Sequence, residues 1–201
     1  MSHIRLASVL WIVALFTPLP AAQIVFLGGD GLSDGKSEIG PYEILIDGKP
    51  YEALCYDFDG PVVTGQQWDA NLLTLDQWAD GYFADVAGAE AKYGSAVWLL
   101  TRMLEVTKTS YRIGIQHAAW MLFSKVKYSD ANRWLIAANE SWAGGLDGVD
   151  TTGIRMVEAA SGSDHVQGLM VAGYIAAPEP REGMLVGLTL LAGAILCRRR
   201  R

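Results

Sequence analysis

Pro41-Tyr42-Glu43-Ile44-Leu45-Ile46-Asp47-Gly48-Lys49-Pro50-Tyr51-Glu52-Ala53-Leu54-Cys55-Tyr56-Asp57 reads as two apolar-alternating runs joined by an Asp-Gly pair. Asp-Gly in that setting signals a two-residue β-hairpin turn, because a type I′ turn needs positive φ at both central residues. The expected arms are residues 41–46 and 49–57. Side chains of a strand alternate between its faces. Tyr51, Ala53, Cys55 and Asp57 therefore share one face of the second arm, and Glu52, Leu54, Tyr56 and Phe58 share the other.

On the N-terminal side of this hairpin, residues 23–27 form a short apolar strand candidate. Residues 28–40 are rich in Gly, Asp and Ser. Asp30, Asp34 and Glu38 lack the ligand pattern and closing Glu of a calcium loop, so the segment is expected to be a solvated loop. On the C-terminal side the period changes at Gln66. Trp68, Leu72, Leu75, Trp78 and Ala79 recur at spacings of three and four, which predicts short helical pieces. Residues 89–107 carry the longest helical pattern, with Tyr93, Ala96, Val97, Leu100, Met103 and Leu104 as its apolar stripe. A second helix is expected over 110–125 with Ser110 as N-cap; on it Gln116, Ala119, Trp120 and Phe123 share a face. A third, over 130–142, is capped by Ser129 or Asp130 and ended by Gly144-Gly145. Residues 154–159 and 168–175 return to strand. The pattern predicts an α+β fold: a single compact domain with an N-terminal β-hairpin, central helices and C-terminal strands, followed by a short transmembrane sorting helix.

Both chain ends read as addresses. His3 and Arg5 precede an apolar run, residues 6–16. Pro18, Pro20, Ala21 and Ala22 then break it and offer small residues for cleavage, so residues 1–22 are expected to be a signal peptide. At the other end Pro178-Glu179-Pro180 is held extended by its prolines. It is followed by an uncharged run of 15 residues, 183–197, and by Arg198, Arg199, Arg200 and Arg201. That run is shorter than the roughly 20 residues of a comfortable bilayer span. The terminal arginines form a cytoplasmic stop under the positive-inside rule. The order of these parts resembles the PEP-CTERM sorting signal of Gram-negative bacteria. The resemblance implies recognition of residues 178–201 by an exosortase after passage through the Sec translocon. It also implies an inner-membrane intermediate and delivery to the cell surface or extracellular polysaccharide matrix.

Between these ends lie residues 23–177, the expected mature domain. The 51% hydrophobic content of the whole chain is inflated by the two termini. Residues 23–180 hold 21 of the 22 acidic residues but only 10 of the 16 basic ones, a net charge of −11 against −6 for the whole chain. Such a charge disfavours nucleic acid and anionic lipid as partners. Cys197 belongs to the tail, which leaves Cys55 as the lone cysteine of an exported domain with no partner for a disulfide.

Two short stretches carry chemistry. Leu54-Cys55-Tyr56 places a cysteine in a strand after a leucine, and Ile115-Gln116-His117-Ala118-Ala119-Trp120 places a glutamine on the tryptophan face of a helix. Together they resemble the thioester domains of bacterial surface adhesins, although the threonine that usually precedes the family's glutamine is Ile115 here. The run Ala53 to Phe58 is also similar to a pattern recurring in PEP-CTERM proteins. A thiolate is well suited to displace ammonia from a carboxamide. The resulting acyl-thiol bond lasts only where water is excluded, a role open to Trp120. His117 is adjacent to Gln116 but about 100° away around the helix, which weakens it as a general base. No zinc spacing, phosphate loop or Ser/His/Asp order stands out; neither a metal nor another cofactor is expected.

Three functions follow as expectations. The first is a non-enzymatic surface or matrix protein of exopolysaccharide or biofilm. The second is the same delivery with a Cys55–Gln116 thioester that attaches the protein to a surface polymer. The third is a secreted polysaccharide hydrolase using carboxylates among Asp57, Asp59, Asp69 and Asp76.

Overall fold

The computed structural model describes residues 21–160 and 166–175. Its strands are β1 (Ala22–Gly29), β2 (Tyr42–Ile46), β3 (Lys49–Cys55), β4 (Gln67–Leu73), β5 (Arg155–Ala159) and β6 (Leu169–Val171). They close into an antiparallel barrel in the order β1-β2-β3-β6-β5-β4, with β4 pairing back onto β1. The connection from β4 to β5 carries a 3₁₀ helix (Leu75–Asp80), α1 (Ala89–Glu105), α2 (Thr109–Phe123), a 3₁₀ turn (Ser129–Ala131) and α3 (Asn132–Ala143).

The hairpin forms as its sequence demands. Ile46 faces Lys49 across the turn, and Asp47 and Gly48 take φ of 50° and 77°. The Asp47 N–H donates to the Gln23 carbonyl and the Gln23 N–H to Asp47 Oδ1, both at 2.9 Å, which ties the turn to β1. A side chain at residue 48 would meet nothing within 4 Å, so only its backbone angle restricts it. Gly48→Val is expected to cost about 1–3 kcal/mol. Gly48→Asn should cost less, because Asn tolerates the left-handed region. Urea unfolding measures both, and a Val variant as stable as wild type would count against the strained turn.

Alternation along the strands builds two cores. Ile24, Phe26, Tyr42, Ile44, Ile46, Ala53, Cys55, Trp68, Ala70, Val157, Leu169 and Val171 fill the barrel lumen. Leu54, Tyr56, Met156 and Met170 point outward and pack under the helices with Tyr93, Val97, Leu100 and Ile115. In β1 the register shifts between Phe26 and Gly28, a bulge that Gly28 permits at φ 97°. In α1 the buried stripe of Tyr93, Ala96, Val97, Leu100 and Met103 recurs at spacings of three and four. α2 is buried continuously from Gly114 to Trp120. Trp120 leaves the helical layer and packs with the lumen residues.

The architecture corrects the α+β expectation. The N-terminal and C-terminal strands are not separate blocks; β3 pairs β6 and β4 pairs β5, so all six strands share one closed sheet. β4 also occupies a segment expected to be helical. Trp68, Ala70 and Leu72 point to the lumen core while Gln67, Asp69 and Asn71 are exposed, a period of two. Trp68 and Leu72 are four apart, a spacing that strand and helix share, and barrel closure decides between them. The caps differ as well. α2 begins after Lys108 and α3 after Ala131, neither with a side-chain cap bond, so Ser110, Ser129 and Asp130 do not cap. Among the described residues no helix is long and apolar enough to cross a membrane. Most of the signal-peptide segment (residues 1–20) and the sorting segment (178–201) lie outside the described residues, while Ala22 pairs with Ala70 within β1.

Candidate functional site

Cys55 closes β3 with its side chain in the lumen core, wholly buried. The chain then turns at Asp57, whose Oδ1 accepts the N–H groups of Asp59 and Gly60 at 3.1 and 3.2 Å. This Asx-type turn brings the Asp57 carbonyl back to Cys55, whose Sγ donates to it at 3.1 Å. Gln167 Nε2 donates to the same carbonyl at 3.0 Å. Trp120 Nε1 donates to Cys55 Sγ at 3.2 Å. Burial pushes the Cys55 thiol well above its ordinary range, against the Trp120 N–H, and the negative charge of Asp57 adds to the rise.

Gln116 on α2 is also wholly buried, and its Nε2 donates to the Cys55 backbone carbonyl at 2.6 Å. Its Oε1 is buried with no hydrogen-bond partner. A buried amide oxygen without a donor costs about 1–3 kcal/mol. Gly40 leaves space for it; a Cβ there would lie 3.1 Å from that oxygen. The helical face inferred from sequence thus brings Gln116 and Trp120 together against Cys55, one by its amide and the other by its indole. Trp120 is covered in turn by Phe58 in an edge contact at 5.1 Å. A cleft of about 230 Å³, lined by Phe26, Glu38, Tyr42, Phe58, Trp120 and Gln167 among others, leads from the surface to this indole.

His117 faces away from the sulfur. Its Nε2 is 3.0 Å from Asp34 Oδ2, its Nδ1 is 3.0 Å from Asp130 Oδ1, and its ring stacks on Tyr128 at 3.7 Å. With both ring nitrogens engaged it offers no lone pair to Cys55. The loop carboxylates each serve a separate protein partner: Asp30 pairs with Arg112, Asp34 with His117, and Glu38 accepts the Gly29 N–H. Among the described residues no group of His, Cys, Asp and Glu is arranged to hold a metal. The carboxylates considered for hydrolysis are scattered. Asp57 is buried in its turn, whereas Asp59, Asp69 and Asp76 are exposed. Pro178, Glu179, Pro180 and the arginines 198–201 lie outside the described residues, as does His165.

Sequence reasoning missed Gly40, Tyr42 and Gln167, which come from three separate segments. The run Ala53 to Phe58 did contain Asp57 and Phe58, the turn and the outer cover of the site. Also unforeseen was the cluster behind β3. Glu158 is buried there, with Oε1 accepting the hydroxyls of Tyr56 at 2.5 Å and Tyr93 at 3.1 Å, and Oε2 accepting the Tyr82 N–H at 2.7 Å.

Fold and site together define a closed antiparallel barrel holding a cysteine and a glutamine against each other beneath a tryptophan. No family model and no curated protein matches the chain. Among solved structures it is similar to the N-terminal domain of the pilus tip adhesin Cpa of Streptococcus pyogenes, at 12% identity and TM-score 0.46 over 80% of this chain and 97% of that one. It is similar to the N-terminal thioester domain of the fibronectin-binding protein SfbI of the same species, at 10% identity and TM-score 0.48 over 78% and 95%. A third is the N-terminal thioester domain of a surface protein from Clostridium perfringens, at 12% identity and TM-score 0.42 over 77% and 99%. At such identity no residue role passes from those proteins to this one; Cys55, Gln116 and Trp120 stand on their own geometry.

Proposed function

We propose that this domain is a surface-displayed covalent attachment module whose reactive bond is an internal thioester between Cys55 and Gln116. The observation that carries this is the Gln116 carboxamide, wholly buried against the Cys55 backbone with Oε1 unpartnered, while the Trp120 N–H rests on Cys55 Sγ. In the closing step Sγ attacks the Gln116 side-chain carbonyl carbon and loses its proton. The C–N bond breaks, and the amide nitrogen takes that proton and leaves as ammonia. In the opening step an amine or hydroxyl from another surface attacks the same carbon. The C–S bond breaks and Cys55 recovers a proton, leaving the nucleophile joined to residue 116. The buried environment that raises the thiol pKa also makes the thiolate a poor leaving group. Together with exclusion of water, this favours a long-lived bond. The module acts once per molecule and so is a cross-linker rather than an enzyme.

Delivery follows the ends of the chain. Residues 1–22 would direct export through the Sec translocon, and the Pro178-Glu179-Pro180 tail would be read by an exosortase for release to the cell surface or matrix. The nucleophile then belongs to exopolysaccharide or another surface polymer. The test is the intact mass of the exported domain. Wild type is expected to lack the mass of one ammonia and to take up methylamine stoichiometrically. Cys55→Ala and Gln116→Ala are each expected to abolish both. A wild-type mass equal to that of the sequence, with no methylamine uptake, would leave a sorted surface domain with an unpaired cysteine.

A further inference from the structure

We propose that His117 is a positioning residue that latches the 30–40 loop over the Cys55–Gln116 pair. Its effect on reactivity rests on the thioester reading, whereas its effect on the loop does not.

The loop is braced internally. Asp34 Oδ1 accepts the N–H groups of Lys36 and Ser37, each at 2.8 Å, and the Ile39 N–H donates to the Leu32 carbonyl at 2.8 Å. This bracing presents the other Asp34 oxygen to His117 Nε2. At its far end the loop delivers Ile39, wholly buried among the lumen residues, and Gly40, which lies on Gln116 Oε1. Its attachments to α2 straddle the glutamine. The exposed Asp30–Arg112 pair lies four residues before Gln116, and the buried Asp34–His117 pair one residue after it. Glu38 of this loop also lines the cleft leading to Trp120. Lifting the loop would therefore uncover the glutamine carbonyl and widen the path to the sulfur.

His117 suits a latch because it is held on both sides. Three titratable groups face it: Asp34 from the loop, Asp130 from the 3₁₀ turn, and Tyr128, stacked on the ring, from the chain before that turn. An imidazole donates at both nitrogens only as the imidazolium; the neutral ring donates at one and presents a lone pair at the other. Burial opposes ionisation of Asp34, but the N–H groups of Ser37 and Lys36 and the His117 ring outweigh it and hold Asp34 below the usual carboxylate range. The negative end of the latch is thus secure.

The test uses the full exported domain as wild type, His117→Ala, Asp34→Ala and the double variant. Two readouts are taken on each protein: backbone hydrogen exchange of the peptide spanning 32–39, and the rate of methylamine uptake. Near neutral pH each single variant is expected to exchange at least about tenfold faster in that peptide, the size expected from loss of one charge-assisted hydrogen bond. The double variant should be no faster than Asp34→Ala, which also loses the Lys36 and Ser37 N–H bonds to Asp34 Oδ1, and the β2–β3 peptides should be unchanged. Methylamine uptake should rise in the same variants. Unchanged exchange in Asp34→Ala overturns the latch; this variant decides the matter should His117→Ala unfold, because it keeps the Tyr128 stack and the Asp130 bond. Faster exchange with unchanged uptake overturns the effect on reactivity. A wild type that neither lacks ammonia nor takes up methylamine overturns the thioester reading, while exchange still decides the latch.

Discussion

Trp120→Ala is expected to destabilise the domain by about 3–5 kcal/mol, the range for removing a large buried aromatic side chain, and to open Cys55 to solvent. Trp120 is only 2% exposed and joins the lumen core to the helices. It touches Phe58, His117 and Tyr128 as well as the sulfur. Its deletion would merge its own volume with the cleft of about 230 Å³ that ends on it. Water would then reach Sγ, and any acyl bond there would hydrolyse quickly. Trp120→Phe separates packing from hydrogen bonding. Phe restores most of the apolar volume but donates nothing to Sγ, so it should recover more than half of the lost stability while leaving the sulfur without its donor. Urea unfolding gives the first quantity, and the time course of Cys55 labelling by a small thiol reagent gives the second. Labelling of Trp120→Ala no faster than wild type would show that the indole does not cover the site.

The contact between β3 and α2 was legible because each half carries a local rule. Asp47-Gly48 sets the hairpin register, and the register sets the face on which Cys55 lies. Helical spacing sets the face shared by Gln116 and Trp120. Neither rule says how a strand and a helix dock, but a core-seeking tryptophan one turn after the glutamine narrows the choice. Barrel closure was not legible in the same way. The pairings of β3 with β6 and β4 with β5 join segments far apart in sequence, and no local period records such a partner. β4 shows the cost: an apolar spacing of four is common to both periods, and only the inward turn of Ala70 between Trp68 and Leu72 marks it as strand. Helical geometry separates His117 from Gln116 by about 100°, but its carboxylate partners come from residues 34 and 130, which only the tertiary structure brings to it.

The second large effect is expected at Glu158, on the helix side of the barrel wall that carries Cys55. Glu158→Ala would remove the shared acceptor of two tyrosine hydroxyls and one backbone N–H, all buried or partly buried. Each orphaned donor costs about 1–3 kcal/mol. A loss of about 3–5 kcal/mol is therefore expected, part of it from release of the Tyr82 segment. The carboxyl also makes stability depend on pH. Desolvation raises its pKa above the ordinary value despite the donors from Tyr56, Tyr82 and Tyr93, and the charge of Asp57 adds to the rise. The folded protein thus holds this proton more tightly than the unfolded chain. Stability from that preference is complete below the unfolded value of about 4.3 and is lost as pH rises through the higher folded value. Glu158→Gln does not titrate. Its oxygen can still accept both hydroxyls, but its amide group faces the Tyr82 N–H donor to donor. Unfolding free energies of wild type and Glu158→Gln, measured in urea from pH 7 downward, isolate this carboxyl because most other carboxylates cancel in the difference. The advantage of wild type should grow as pH falls toward the unfolded value. An advantage that shrinks on acidification would mean that the three donors outweigh burial, and that Glu158 is held as a carboxylate against Tyr56, the residue that follows Cys55 at the end of β3.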